Sequence, residues 1–352
     1  LGKSIFSDDG IVLLGAHIEL TDQFLRRLEQ FGIHYIYVED ERTEDILYHD
    51  PVSPETRLRA VRTVREQFKR MMGDAIKRRS VNHLQFGREF RSVVDSIMDE
   101  IASKPDSMML LVDIQYSDLY LFQHSVNVCI YTAILGQAHG YSRDEMYALC
   151  LGALLHDVGK TQLPQELLLR PGSLTPEEME IIKTHTTIGF KILKEEPNVP
   201  LLSAHVALQH HERIDGSGYP RGLMGDDIHE FARWVGVVDS FDAMTSQRSY
   251  RAAMLPHEAM ERLYAGAGTL YDSGKVELFR DKVAIYPLGM LVMLNDGAVG
   301  AVVDVNSQYP QRPVVRVLYD AEGRKIEPFE IDLSKSLTSF VKQANVPLPE
   351  DG

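Results

Sequence analysis

Five of the chain's thirteen histidines, His124, His156, His185, His210 and His211, fall within ninety residues of helix-forming text. Acids stand among them. Asp157 follows His156 at the end of the apolar run CLGALL, Glu212 follows His210 and His211 after VPLLSAHVAL, and Asp239 interrupts the apolar segment that starts at Trp234. A carboxylate inside apolar text needs a partner, because taking a charge out of water is costly. Imidazole and carboxylate together suit iron, manganese or zinc, and one carboxylate can bridge two cations. Any single histidine of this set reads equally well as a core or surface residue; together they read as a metal site. Lys160, just after Gly159, places a cation where an anionic substrate would approach. No P-loop is present, so phosphate would be held by metal and by Lys or Arg side chains.

The elements that must position these residues are mostly helical. Leu58, Val61, Val64, Phe68, Met71 and Ile76 recur at helical spacing, and Phe90, Val93, Val94, Ile97, Met98 and Ile101 repeat the pattern. These two helices either relay a signal or simply pack. Thr175 can cap a helix with Pro176 in its first turn and Glu178 closing a capping box, and that helix is expected to carry Ile181, Ile182, His185, Ile188, Gly189 and Ile192. Residues 1–50 read as a small α/β module: Ile11 to Leu14 is a short apolar run, Thr21 caps a helix that Gly32 closes, and Tyr35 to Val38 is strand-like. After about residue 282 the text turns β-rich, with strands expected at Val283 to Tyr286, Leu291 to Leu294, Val299 to Val305 and Val314 to Leu318, and turns at Asn295-Asp296-Gly297 and Asp320 to Gly323.

The strings HSVNV at 124–128, HDVGK at 156–160 and HHERIDGSGYP at 210–220 resemble the HD-GYP family, a branch of the HD-superfamily metal-dependent phosphohydrolases. LLRPGSLTPEEMEIIKTH at 168–185 and VVDSFDAMTSQRSYR at 237–251 resemble it too, so the similarity covers roughly residues 115 to 275. The resemblance implies an all-helical HD fold that hydrolyses cyclic di-GMP to linear pGpG or on to GMP. It implies two divalent metal ions, iron ahead of manganese, on His124, His156, Asp157, His185, His210, His211 and Asp239, with Asp157 as the bridge. Lys160 matches the lysine beside the scissile phosphate, Gly218 and Tyr219 match the loop bordering the substrate, and Arg248 and Arg251 match basic positions that contact the dinucleotide. Two cations about 3.5 to 4 Å apart can activate a bridging water for in-line attack, and Lys160 and Arg248 add charge and a two-pronged grip. Glu212, Asp215 and Asp242 are read as supporting groups, since a metal-bound histidine needs an acceptor on its other nitrogen. Some family members hold a third metal with a glutamate four residues before the first histidine. Here Tyr120 stands there, so two ions are expected, and the fate of the linear product stays open. Another cyclic dinucleotide as substrate, or a silent sensor of such a ligand, is the alternative.

Composition frames this reading. The chain has 352 residues, 44% hydrophobic and 25% charged, which excludes a disordered, collagenous or disulfide-framed protein. Its formal charge of -14 argues against non-specific nucleic-acid binding. Between Glu55 and Ser92, however, eleven Lys/Arg stand against four Asp/Glu, a net +7 read as a solvated helix face. Cys129 and Cys150 read as core residues, His139 as a helix C-terminal residue, and His205 and His229 as packed or surface groups. The expected fold is mainly α: an N-terminal α/β module (1–52), connecting helices (53–104), an HD-type catalytic domain (105–280) and a small β-rich appendage (281–352). No stretch is apolar enough to span a membrane, and the expected protein is cytoplasmic, as a homodimer or with a regulatory partner.

Overall fold

The computed structural model describes residues 1–2, 5–6, 12–30, 36–46, 50–77, 83–104, 109–110, 120–168, 170, 172, 174–246, 254–306 and 308–347. Its centre is helical. Helices α2 (Pro54–Lys77) and α3 (His83–Ala102) form where the apolar repeat predicts, and they bury Val64, Phe68 and Met71 from one and Phe90, Val94 and Ile97 from the other. These side chains join one core with α4 (Tyr120–His139) and α5 (Arg143–Leu155), the Phe68 ring meeting Phe122 edge-on at 6.1 Å. The expected connectors thus share one core with these helices. Helix α5 has no polar face: every residue from Met146 to Leu155 is buried, Cys150 included, and Cys129 of α4 is buried as well. An apolar surface all round marks a central helix. Gly140, at φ +89°, follows His139 at the end of α4, the left-handed position that glycine adopts without strain.

The ligand-bearing text continues through a 3-10 turn at Val158–Gln162, a short α6 (Gln165–Leu168), α7 (Pro176–Lys183), α8 (His185–Lys194), α9 (Leu201–Gln209) and α10 (Glu230–Thr245). The Thr175–Glu178 capping box is present with Pro176 in the first turn. The single helix expected beyond it is instead two. Thr184 ends α7, its N–H bonding Ile181 O at 3.1 Å, and α8 restarts at His185. Helices α11 (Pro256–Ala265) and α12 (Ser273–Lys282) close the bundle over α10, where the Phe241 and Phe279 rings meet at 4.9 Å.

The β elements divide between two places. Val283 and Ala284 form β4, which pairs in parallel with β3 (Met109–Leu110); Val283 and Ala284 are buried, and Val283 belongs to the helical core rather than to the appendage. The appendage is a five-stranded antiparallel sheet of β5 (Leu291–Leu294), β6 (Val299–Asp304), β7 (Val314–Tyr319), β8 (Lys325–Asp332) and β9 (Val341–Ala344), ordered β8-β7-β6-β5-β9. Its core is Val292, Leu294, Val302, Val315 and Val317. Strands β8 and β9 escape a sequence reading because both are edges rich in polar residues, and β8 carries Pro328, which only an edge or bulge tolerates. At the other end β1 (Ile5–Phe6) pairs with β2 (Val12–Leu14), and α1 (Asp22–Gln30) starts after Thr21, whose Oγ1 accepts from Phe24 N at 3.3 Å. Among the described residues Ile36 to Val38 form no strand, and Gly2 N donates to Tyr37 O. Tyr35 and Gly32 lie outside the described residues. The next stretch docks on the appendage, where Arg316 takes Asp45 in a two-pronged pair (2.5 and 2.7 Å) and Arg42 lies over the Tyr319 ring at 5.1 Å.

Because α2 shares the helical core, Phe68→Ala should lower stability by about 3–5 kcal/mol. Helical circular dichroism and the fluorescence of Trp234, the sole tryptophan, should lose their native signals together in urea. A Trp234 transition that stays at its wild-type midpoint would show that α2 folds apart from the domain.

Candidate metal centre

Five elements converge on one buried carboxylate. His124 comes from α4, His156 caps the end of α5, Asp157 opens the 3-10 turn, His185 opens α8, His210 caps α9 with His211 beside it, and Asp239 and Asp242 lie one turn apart on α10. The two oxygens of Asp157 face different partners. Oδ1 lies 3.3 Å from His185 Nε2 and 3.9 Å from His210 Nε2, whereas Oδ2 lies 3.4 Å from His156 Nε2 and 3.9 Å from His124 Nε2. Asp157, His185, His210 and His211 can converge on one ion, and His124, His156 and Asp157 on another. Asp239 joins the second group, its Oδ1 being 3.1 Å from His124 Nε2 and 3.8 Å from His156 Nε2.

The histidines are oriented by their other nitrogens. His156 Nδ1 donates to Ala153 O at 2.7 Å, His185 Nδ1 to Ile182 O at 2.7 Å and His210 Nδ1 to Ala207 O at 3.0 Å, which leaves each Nε2 lone pair turned inward. His124 Nδ1 is instead held by Asp242 Oδ2 at 2.7 Å. Asp242 is itself fixed by Asn127 Nδ2 at 3.2 Å and Ser246 Oγ at 3.1 Å, and Asn127 accepts from Arg57 of α2 at 2.8 Å. Asp242 is therefore a supporting group, as its place in the sequence suggested; Asn127 and Arg57 carry no signal that a single sequence reveals. Glu212 is buried and accepts from Arg221 N and Leu223 N, which pins the loop carrying Gly218, Tyr219 and the cis Pro220. Asp215 only holds its turn, through Ser217.

The electrostatics match cation binding. Burial would push the Asp157 carboxyl up, but the nearby charges of Lys160 and His156 outweigh it and hold the group well below the usual carboxylate range. Asp239 behaves likewise through His124. Burial drives His210 and His211 well below the ordinary imidazole value and His185 down to about 4, so all three are neutral donors. His124 differs: burial again opposes charge, yet Asp239 and Asp242 win and lift it to about 9, so its Nε2 becomes a donor only when a cation displaces the proton shared with Asp239. His156 Nε2 and Asp157 Oδ1 are buried without a hydrogen-bond partner, an arrangement that costs free energy unless a ligand completes it. The donor set thus fits a pair of divalent cations.

Two glycines make the convergence possible. A Cβ on Gly159 would lie 1.9 Å from His185 O, and one on Gly218 would lie 2.3 Å from Arg213 N. The site opens into a cleft of about 360 Å³ lined by His124, Lys160, His185, His211, Tyr219 and Asp239. Lys160 Nζ sits 2.5 Å from Asp157 Oδ2, and the Tyr219 ring stacks on His211 at 4.7 Å. Burial raises the Tyr219 phenol far above its ordinary value, so it remains protonated. Arg213 and Tyr271 also line the cleft and were not singled out from the sequence. Arg248 and Arg251 lie outside the described residues, as does the Tyr120 side chain, although Tyr120 opens α4 one turn before His124. His205 rests against Phe190 and His229 caps α10, both away from the ligands.

Residues 98–274 match the HD domain family, and residues 291–347 match a KOW domain associated with HD domain. With the fold and the clustered donors, this match identifies residues 98–274 as an HD domain, the fold of a class of phosphohydrolases. Among similar proteins, a cyclic di-GMP phosphodiesterase of Pseudomonas aeruginosa is 34% identical over 245 residues, 69% of this chain and 59% of that protein. A cyclic di-GMP phosphodiesterase of Thermotoga maritima is 43% identical over 167 residues, 47% and 45% of the two chains. A 3′3′-cGAMP-specific phosphodiesterase of Vibrio cholerae is 34% identical over 156 residues, 44% and 30%. The chain thus spans 59% or less of these three relatives. It belongs to the HD-domain family, in the HD-GYP branch. HD-domain phosphohydrolases bind divalent metals. Among the described residues no helix is long and apolar enough to cross a membrane.

If Asp242 sets the ring of His124, Asp242→Asn should weaken the tighter coupling of that histidine to a cation and lower Mn(II) affinity by about 10- to 100-fold on that side of Asp157. Calorimetric titration of the metal-free protein checks this; two unchanged binding isotherms would show that Asp242 serves the fold alone.

Proposed function

We propose that this protein hydrolyses cyclic di-GMP to linear pGpG, in the cytoplasm of a bacterium and as a signalling enzyme. The observation that carries the reading is the division of buried Asp157 between two sets of histidines, beside a cleft that Lys160, His124 and His185 line. Relatives named as cyclic di-GMP phosphodiesterases support the substrate. The ligands would be His124, His156, Asp157, His185, His210, His211 and Asp239, for two ions, iron ahead of manganese. When bound, such a pair supplies Lewis acidity and charge neutralisation at the scissile phosphate.

The chain's own residues do the remainder. Lys160 brings a positive charge to the phosphoryl oxygens inside a partly closed cleft, where a point charge counts for more than in water. In the reaction the oxygen of water bonds to phosphorus and the bond to the ribose 3′ oxygen breaks, which leaves a 5′-phosphate on the linear product. Gly218 and Tyr219 would form the wall beside the reacting diester, with the protonated phenol able to donate a hydrogen bond. Arg248 and Arg251 would hold the dinucleotide's charge. Tyr120 in place of a glutamate supports two ions rather than three, and the products of a long incubation tell whether the linear dinucleotide is cut on to GMP.

Relatives specific for 3′3′-cGAMP keep a second substrate in view. Anaerobic loading with Fe(II) or Mn(II), followed by chromatography of products from both dinucleotides, separates the two; tight binding with no hydrolysis of either would mark a sensor. Asp157→Ala should lose metal and turnover while circular dichroism keeps its helical signal. Arg248→Ala should raise KM for the dinucleotide about tenfold with metal content unchanged, and an unaltered KM would remove Arg248 from the pocket.

A further inference from the structure

Arg213 is a cleft cation that the proposed reaction leaves without a task. Its guanidinium is held as a rigid fork: Nη1 donates to His210 O at 3.2 Å and Glu212 O at 3.0 Å, and the group lies over the Tyr271 ring at 5.1 Å. The other prong has only a 3.4 Å contact with Ser240 Oγ, which already donates to Gly236 O at 2.7 Å. Among the described residues no carboxylate pairs with Arg213, in contrast to Lys160, which rests on Asp157. Tyr271 is equally fixed. Its loop is stitched to the Arg213 loop through Ile214 N to Leu270 O at 3.3 Å and Asp215 N to Thr269 O at 2.9 Å.

The lining of the cleft is thus of two chemical kinds. His124, His185, His211 and Lys160 suit a phosphate. Arg213, Tyr271, Ser240, Ala243 and Met244 line the same cleft and add an aromatic ring and apolar side chains beside an under-used donor. That combination fits a nucleobase better than a second phosphate, because a base offers a face to pack and an edge to accept hydrogen bonds. A planar guanidinium matches the O6 and N7 acceptors of guanine, whereas adenine presents an N6 amino donor at the O6 position.

We infer that Arg213, backed by Tyr271, reads the O6/N7 edge of one guanine of the substrate and so sets base specificity in the cleft. The inference rests on the cyclic-dinucleotide reading and deepens it.

The wild-type, metal-loaded enzyme provides one test without mutation. Cyclic di-IMP, which keeps O6 and N7 but lacks the 2-amino group, should be turned over within about threefold of cyclic di-GMP. The 7-deazaguanine analogue should lose about tenfold or more in kcat/KM, on the scale of one bidentate base contact. Equal use of the 7-deaza analogue, or a loss confined to the inosine analogue, would overturn the assignment. A second test is the ratio of kcat/KM for cyclic di-GMP over cyclic di-AMP, which Arg213→Gln should lower by about tenfold or more and Arg213→Lys by less. A purely structural role would lower both substrates together and keep the ratio, which also overturns the assignment. Wild-type protein that hydrolyses neither dinucleotide would sink the phosphodiesterase reading itself and this inference with it, an outcome distinct from an active enzyme with a preserved ratio.

Discussion

A carboxylate removed from water has to be met by positive charge, and in this protein Asp157 is almost fully buried. Its neighbours are one ammonium and a ring of imidazoles, most of which burial keeps neutral. Without a cation the balance is poor, since a buried acceptor on Asp157 and a buried nitrogen on His156 face no partner. The cluster is arranged for ions rather than for its own stability. That requirement explains why donors come from the ends of helices as often as from their middles: His156, His185 and His210 sit where a helix starts or stops, so the rings point into a shared space.

Bringing those ends together takes close backbone approach and outside support. Gly159 lets the 3-10 turn rest on the start of α8, and the break at Thr184 gives His185 its own first turn. On the opposite side Asp239 and Asp242, spaced three apart, take the two nitrogens of His124. Through Asn127 and Arg57 that support reaches α2, whose apolar face is part of the same core. Helix α2 therefore supports the ring of His124 through Asn127 and Asp242 as well as packing on the domain around it. At the far end, the Arg316–Asp45 ion pair and the contact of Arg42 with Tyr319 tie residues 40–45 to the appendage sheet; the ion pair is partly exposed and so of modest strength.

Much of this was legible in the residue order. The five histidines, Asp157, Asp239 and Lys160 stood out because such groups are rare in apolar helical text, and all of them gather at one site. Helices α2 and α3 and strands β5 to β7 followed from apolar periodicity, which reports burial directly. Strands β8 and β9 did not, because an edge strand buries little and its polar residues match a loop. The break at Thr184 was hidden too: both flanking helices satisfy the same spacing, and the interruption is imposed by what His185 must reach.

The linear order of the chain thus determined the chemistry on offer, a set of imidazoles and carboxylates with a lysine beside them, and the helical character of the text that carries it. Tertiary structure alone decided which oxygen of Asp157 faces which histidines, that Asp242 rather than a backbone carbonyl holds His124, and that Arg213 and Tyr271 share a wall of the cleft. The physical reason is distance. Residue types and local spacing fix what a helix buries, but contacts between residues 118 positions apart, as in His124 and Asp242, depend on how whole helices cross, and that is set by packing summed over the entire core.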